Sequence, residues 1–304
     1  MNALVGGLDT DSPEVLWEDA ERVFCRLRRG DTEGHRYAFV QTRFGAEHPM
    51  LQGTRRLTHE YQLRDYLDAA WALRPVELVR EHGQATLYVE FSGGVPLDRL
   101  ICQPMEVGRF LRLAAAMASA LGRLHGRGLI HKDIKPTNVI VDLATERVWL
   151  TGFGIASRLP RERQSPEPPE FVAGTLAYMA PEQTGRVNRS IDSRSDLYSL
   201  GVTFYEMLTG SLPFSAADPM EWVHCHIARQ PATPTERQAS VPPTVSAITM
   251  KLLAKTVEER YQTAKGVESD LRRCLADWDA QGLVLPFAPG EQDTPDRLMN
   301  RPGN

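Results

Sequence analysis

The sequence predicts an α+β protein of two unequal lobes: a small antiparallel sheet carrying one helix, then a larger, mainly helical part. Two observations carry that reading. Before residue 93, apolar residues alternate with polar ones in short runs broken by turn residues; from about Leu97 onward they recur at helical spacing. The chain has 304 residues, 42% of them hydrophobic, enough to bury the core of one large two-lobed domain.

Taken in order, residues 1–15 form a flank and 16–92 the small lobe. Within it, "ERVFCRLRRG" and "HRYAFVQTRF" read as two strands joined by the turn-rich "RRGDTEGH". "RRLTHEYQLRDYLDAAW" (55–71) is helical, with Leu57, Tyr61, Leu63 and Leu67 recurring every three or four residues. "VELVREHGQATLYVEF" (76–91) gives two further strands with His82-Gly83 at the turn. "GGVPL" (93–97) is a hinge into the large lobe, 93–281, with helices at 106–127, 192–210, 216–229, 244–255 and 263–281. Short strands near 138–141 and 147–151 flank the polar turn "DLATE", to which Asp142 belongs. "LPRERQSPEPPE" (159–170) carries four prolines and five charges, so it is an exposed loop. Residues 282–304, rich in Pro, Gly and Asp, read as a linker-like tail.

Composition excludes several classes of function. A net charge of −4 gives no field that would favour nucleic acid or anionic lipid. The longest weakly polar run, 110–121, contains Arg112 and is too short to span a bilayer. The start turns acidic without a basic leader region, so no signal peptide is expected. Cys25, Cys102, Cys225 and Cys274 are scattered, which fits reduced thiols in a cytoplasmic protein. His224 and His226 stand two apart on a helix and face different ways, so they make no metal site. Lysine is lopsided: the first is Lys132.

Three stretches carry chemistry. "LIHKDIKPTNVIVD" (129–142) fits H-R-D-x-K-P-x-N with Lys132 in place of arginine. "VAGTLAYMAPEQ" (172–183) follows at a suitable distance, and "DSRSDLYSLGVTFYEMLTGSLPF" (192–214) and "LLAKTVEERYQTA" (252–264) come after it. Together these resemble the protein kinase superfamily, Ser/Thr branch, over roughly residues 16–280. The resemblance implies a bilobal kinase fold using ATP and magnesium. It implies that Asp133 orients a substrate hydroxyl, Lys135 meets the γ-phosphate, Asn138 offers a metal one oxygen, and Thr175 stands near them. It makes His131 and Asp196 structural supports of the catalytic loop, and pairs Glu182 with Arg260. The hinge around Glu90 to Ser92 would meet the nucleotide. "GFGIASRLPRERQSPEPPE" further resembles the amino-terminal kinase-like domain of large bacterial signalling proteins. In that family an ATPase module and a sensor histidine kinase follow, which implies a protein partner, or downstream domains of a longer polypeptide.

The departures fall on the nucleotide. "LWEDAERVF" (16–24) stands where a glycine-rich loop belongs and has no glycine; Glu18, Asp19 and Glu21 bring like charge to a triphosphate. "AFVQ" (38–41) stands where V-A-I-K would, so Gln41 replaces the lysine that pairs with Glu60; Arg43 shares its strand face and is the nearest substitute cation. "LTGFGIAS" (150–157) has Gly152 where the magnesium-binding aspartate belongs, and glycine has no side-chain oxygen. Asn138 alone is a poor magnesium site. Lys132 attracts a phosphate without forking onto it, and only Ser157, Ser165 and Thr175 are acceptors in the loop. The expectation is a pseudokinase or strongly impaired kinase serving as a regulatory module, with ATP and magnesium doubtful. The alternative is an active Ser/Thr kinase using Asp133.

Overall fold

Alternation in the first part of the chain builds one antiparallel sheet. The computed structural model describes residues 14–18, 22–30, 36–42, 49–81, 84–91, 93–158, 161–162 and 176–293. Strands β1 (Glu14–Glu18), β2 (Arg22–Gly30), β3 (Arg36–Thr42), β4 (Pro75–Glu81) and β5 (Gln84–Glu90) pair in the order β1-β2-β3-β5-β4. Helix α1 (Pro49–Gln62) covers this sheet, with Leu57 fully buried.

The helix expected over 55–71 is a correction. It starts earlier, at Pro49, a residue whose fixed φ suits a first turn, and it stops at Gln62. Beyond it the chain makes a single 3-10 turn, Arg64–Tyr66, and then Asp68 takes over the backbone. The Asp68 side chain accepts from Ala70 N at 2.9 Å, and its carbonyl accepts from Trp71 and Ala72. That local alternative outcompetes helix.

Past the hinge, β6 (Val95–Pro96) pairs with β7 (Val139–Asp142), and β7 with β8 (Arg147–Leu150). The large lobe is organised by α2 (Val107–Gly126), α3 (Ser193–Thr209), α4 (Pro219–Ala228), α6 (Pro243–Leu252) and α7 (Ala264–Gln281). Glu106 starts α2 by accepting from Gly108 N at 2.7 Å and Arg109 N at 2.8 Å. The inward stripe of α2, Phe110, Leu113, Met117, Leu121 and Leu124, is completely buried. Burying each such side chain contributes about 1.5–3 kcal/mol. Phe110 meets Phe204 of α3 edge-on, ring centres 5.4 Å apart. A four-residue helix α5 (Pro234–Arg237) and the two-residue pair β9 (Arg161–Glu162) and β10 (Ile191–Asp192) are too short to leave a periodic signal. Among the described residues, no helix is long and apolar enough to cross a membrane.

The tail is a second correction. Residues 282–293 lie against the large lobe rather than leaving it as a linker. Val284 and Phe287 pack on the main core, and Arg273 stacks on Phe287 at 4.1 Å. Gly290 N donates to Asp270 at 2.7 Å, Thr263 Oγ1 to Asp293 at 2.7 Å, and Gln262 N also donates to Asp293. The Pro and Gly content that reads as flexible serves here to turn a docked strap. Residues 294–304 lie outside the described residues.

Candidate active site

The catalytic-loop residues lie between α2 and β7, and one buried carboxylate shapes them. Asp196, in the first turn of α3, accepts from His131 N at 2.8 Å and Lys132 N at 2.7 Å. His125 Nε2, at the end of α2, donates to the same carboxylate at 2.9 Å. Burial works against this charge, but these hydrogen bonds hold the Asp196 carboxyl below its ordinary range. Lys132 takes a left-handed φ of 68°, uncommon for a residue with a side chain, and the two-pronged hold on its amide and its neighbour's maintains it. Gln183 Nε2 adds a bond to Lys132 O at 2.8 Å.

His131 is fully buried, and burial depresses its pKa, so the ring is neutral. Its Nε2 donates to Thr151 O at 3.0 Å, its Nδ1 accepts from Asp133 N at 3.3 Å, and its ring lies 4.8 Å from that of Phe153. The loop is thereby tied to the segment carrying Gly152. Lys135 Nζ stands 2.9 Å from Asp133 Oδ2. Asn138 Nδ2 donates to Asp133 O at 2.8 Å and to Asp133 Oδ2 at 2.9 Å. The structure therefore brings Asp133, Lys135 and Asn138 together.

Gly152 is buried in the left-handed region, φ 81° and ψ 42°, and its N–H donates to Glu60 Oε1 at 3.2 Å. Glu60 is 1% exposed and reaches inward from α1. The same helix crosses Gly154 so closely that a Cβ there would meet Arg56 Cβ at 2.8 Å. His59 Nε2 also bonds Ala156 O at 2.6 Å. A Cβ at residue 152 would lie 2.6 Å from Asn138 Cγ and 2.9 Å from its Nδ2, and nearer still to Oδ1. The Asn138 carboxamide thus occupies the space into which a side chain at 152 would grow.

The donor set does not fit a magnesium ion. A hard cation needs several oxygens, commonly carboxylates. Residue 152 brings none, Asn138 offers a single neutral oxygen, and the described residues contain no group of three His, Cys, Asp or Glu able to hold a metal. Asp142 accepts from Ala144 N at 3.0 Å and Thr145 Oγ1 at 2.7 Å, inside its own hairpin turn.

Of the small-lobe residues, Gln41 lies in β3, where the register sets it opposite Thr86 of β5. Glu90 Oε1 pairs with Arg74 Nη1 at 3.2 Å, and its N–H donates to Arg74 O at 2.9 Å. Arg43, Ser92 and Thr175 lie outside the described residues, as do Asp19 and Glu21.

Behind the site, Arg260 Nη1 and Nη2 fork onto Glu182 Oε1 and Oε2 at 2.7 and 2.9 Å, with side-chain exposures of 0% and 2%. His226 is buried between Tyr198, Phe214 and Trp222 rather than free to bind metal. Its Nε2 donates to Leu176 O at 2.8 Å and its Nδ1 lies 3.0 Å from Tyr198 Oη. Burial, with help from nearby Lys255, lowers its pKa to about 4. His125, Gln183 and His226 have no local motif; each acts on a backbone or carboxylate that is distant in sequence.

A profile of the protein kinase domain matches residues 34–271. This chain belongs to the protein kinase domain family. The serine/threonine-protein kinase PknB of Mycobacterium tuberculosis is 36% identical over 189 residues, covering 62% of this chain and 30% of that protein. PksC of Streptomyces coelicolor is 33% identical over 220 residues, 69% of this chain and 38% of PksC. The pkn3 kinase of Myxococcus xanthus is 31% identical over 201 residues, 63% of this chain and 36% of its own. The chain thus spans about a third of the length of these relatives.

Proposed function

We propose that this Ser/Thr-kinase-family domain transfers phosphate very weakly or not at all, and that it works as a cytoplasmic regulatory or binding module in bacterial signalling. Its partner is then another protein or further domains of a longer polypeptide. The observation that carries the reading is residue 152: a glycine in left-handed backbone whose side-chain space is taken by Asn138. Removing one electrostatic stabiliser typically costs about 2.7–4 kcal/mol in a barrier. Loss of both the metal carboxylate and the strand lysine therefore slows transfer on the order of 10⁴-fold or more.

A second reading, an active Ser/Thr kinase, is favoured by one observation, the Lys135–Asp133 pair at 2.9 Å. That pair would serve an incoming hydroxyl. Asp133 and Asn138 also hold the loop's own shape, so their presence does not require turnover. Transfer of labelled γ-phosphate to the chain itself or to a generic protein substrate separates the two. The proposal expects no incorporation above that of an Asp133→Asn variant. Metal-dependent incorporation that Asp133→Asn abolishes would establish the active kinase instead.

A further inference from the structure

The cleft between the lobes is lined by side chains that give their surface to one another. Leu16 of β1 is 1% exposed, Phe24 of β2 3%, Val89 of β5 0% and Phe91 of the hinge 2%. Ile140 of β7, on the large-lobe side, is 0% exposed, and all five belong to one continuous buried cluster. Phe24 meets Phe91 edge-on with ring centres 6.1 Å apart. β1 lies directly against β6, and Arg99 Nη2 reaches up from the large lobe to Val15 O at 3.2 Å. The back of the cleft is equally closed: Glu60, Asn138 and Thr151 are 1%, 2% and 6% exposed.

A slot that takes a flat ring keeps two apolar walls apart, so that ring and walls bury each other. Here the would-be walls are buried by protein alone. We infer that the position of the nucleotide base in this domain is filled by an apolar plug built around Leu16 and Ile140, latched at its mouth by Arg99. The domain then takes no purine nucleoside or nucleotide, with or without metal, and its two lobes move as one body. This rests on the reading above in taking the same cleft as the nucleotide's place. It goes further, because an impaired kinase can still hold ATP.

Two measurements on the whole chain test it. In an open cleft Leu16 would be a solvent-exposed wall, and trimming it would leave the nucleotide-free protein unaffected. As a plug residue, Leu16→Ala lowers Tm by roughly 5 °C or more, and Ile140→Val lowers it less but in the same direction. The milder variant decides the matter should Leu16→Ala fail to fold. Calorimetric titration of the unaltered chain with adenosine, then ADP with EDTA, then ATP with magnesium, is expected to give no saturable heat and no rise in Tm. An unchanged Tm in both variants would overturn the plug. So would saturable adenosine binding, which would leave the reading of failed phosphate transfer standing because adenosine carries no phosphate. Labelled phosphate transfer, read separately, would remove that reading as well.

Discussion

Restoring a side chain at residue 152 has a cost that can be worked from the geometry around it. Gly152→Ala forces a residue with a Cβ into φ 81°, which costs about 1–2 kcal/mol for an L-residue. The new methyl would also lie 2.6 Å from Asn138 Cγ, so the carboxamide must swing away. In moving, it loses its bonds to Asp133 O and Oδ2, at 2.8 and 2.9 Å, each worth about 0.5–1.5 kcal/mol net. The substitution is therefore expected to destabilise the domain by about 2–5 kcal/mol. Urea unfolding followed by far-ultraviolet circular dichroism gives the value from the shift in midpoint. A double-mutant cycle isolates the collision. In an Asn138→Ala background, Gly152→Ala should cost only the backbone part, about 1–2 kcal/mol. If the single variant is as stable as the parent, or if the two substitutions add without coupling, Asn138 does not fill that space and the argument fails. Gly152→Asp meets the same obstruction, so it is expected to unfold at lower urea and to gain no magnesium-dependent rise in Tm.

Two further outcomes follow from buried charge. Arg260→Met removes the guanidinium that forks onto the buried Glu182 carboxylate, and a loss of about 3–5 kcal/mol is expected by urea unfolding; a loss below 1 kcal/mol would mean that solvent reaches the pair. His226 is neutral in the fold, with its pKa lowered from 6.5 to about 4, so between those values the unfolded chain binds a proton that the folded chain does not. Stability must therefore fall as pH drops from about 6.5 to about 4, by on the order of 3 kcal/mol from this group. His226→Gln should flatten that slope by nearly one proton in unfolding measured at several pH values, and parallel slopes would refute the assignment. Buried His131, whose pKa is lowered too, leaves a residual slope of the same sign.

Much of the fold was legible because its signals are local. The catalytic loop is a contiguous motif, and long helices such as α2 and α7 announce themselves by period and end within a residue or two of their expected limits. What sequence reading missed depends on contacts across the fold. The strap at 282–293 was misread because its composition resembles a linker, while Asp293 is made structural by Thr263 and Gln262, some thirty residues away. The absence of an aspartate at 152 was plain from the sequence. That the Asn138 carboxamide fills the opening was not, because residues fourteen apart reveal such packing only in three dimensions.

Asp196 explains why a motif can outlast the chemistry it is named for. Its two oxygens fasten the end of α2 and two successive amides of the catalytic loop from inside the helical lobe, so the loop's shape is underwritten by the core rather than by any substrate. A chain wired this way has architectural reasons to keep its histidine, aspartate and asparagine whether or not it ever turns over. The diagnostic position for catalysis lies elsewhere, at residue 152, which this network does not use.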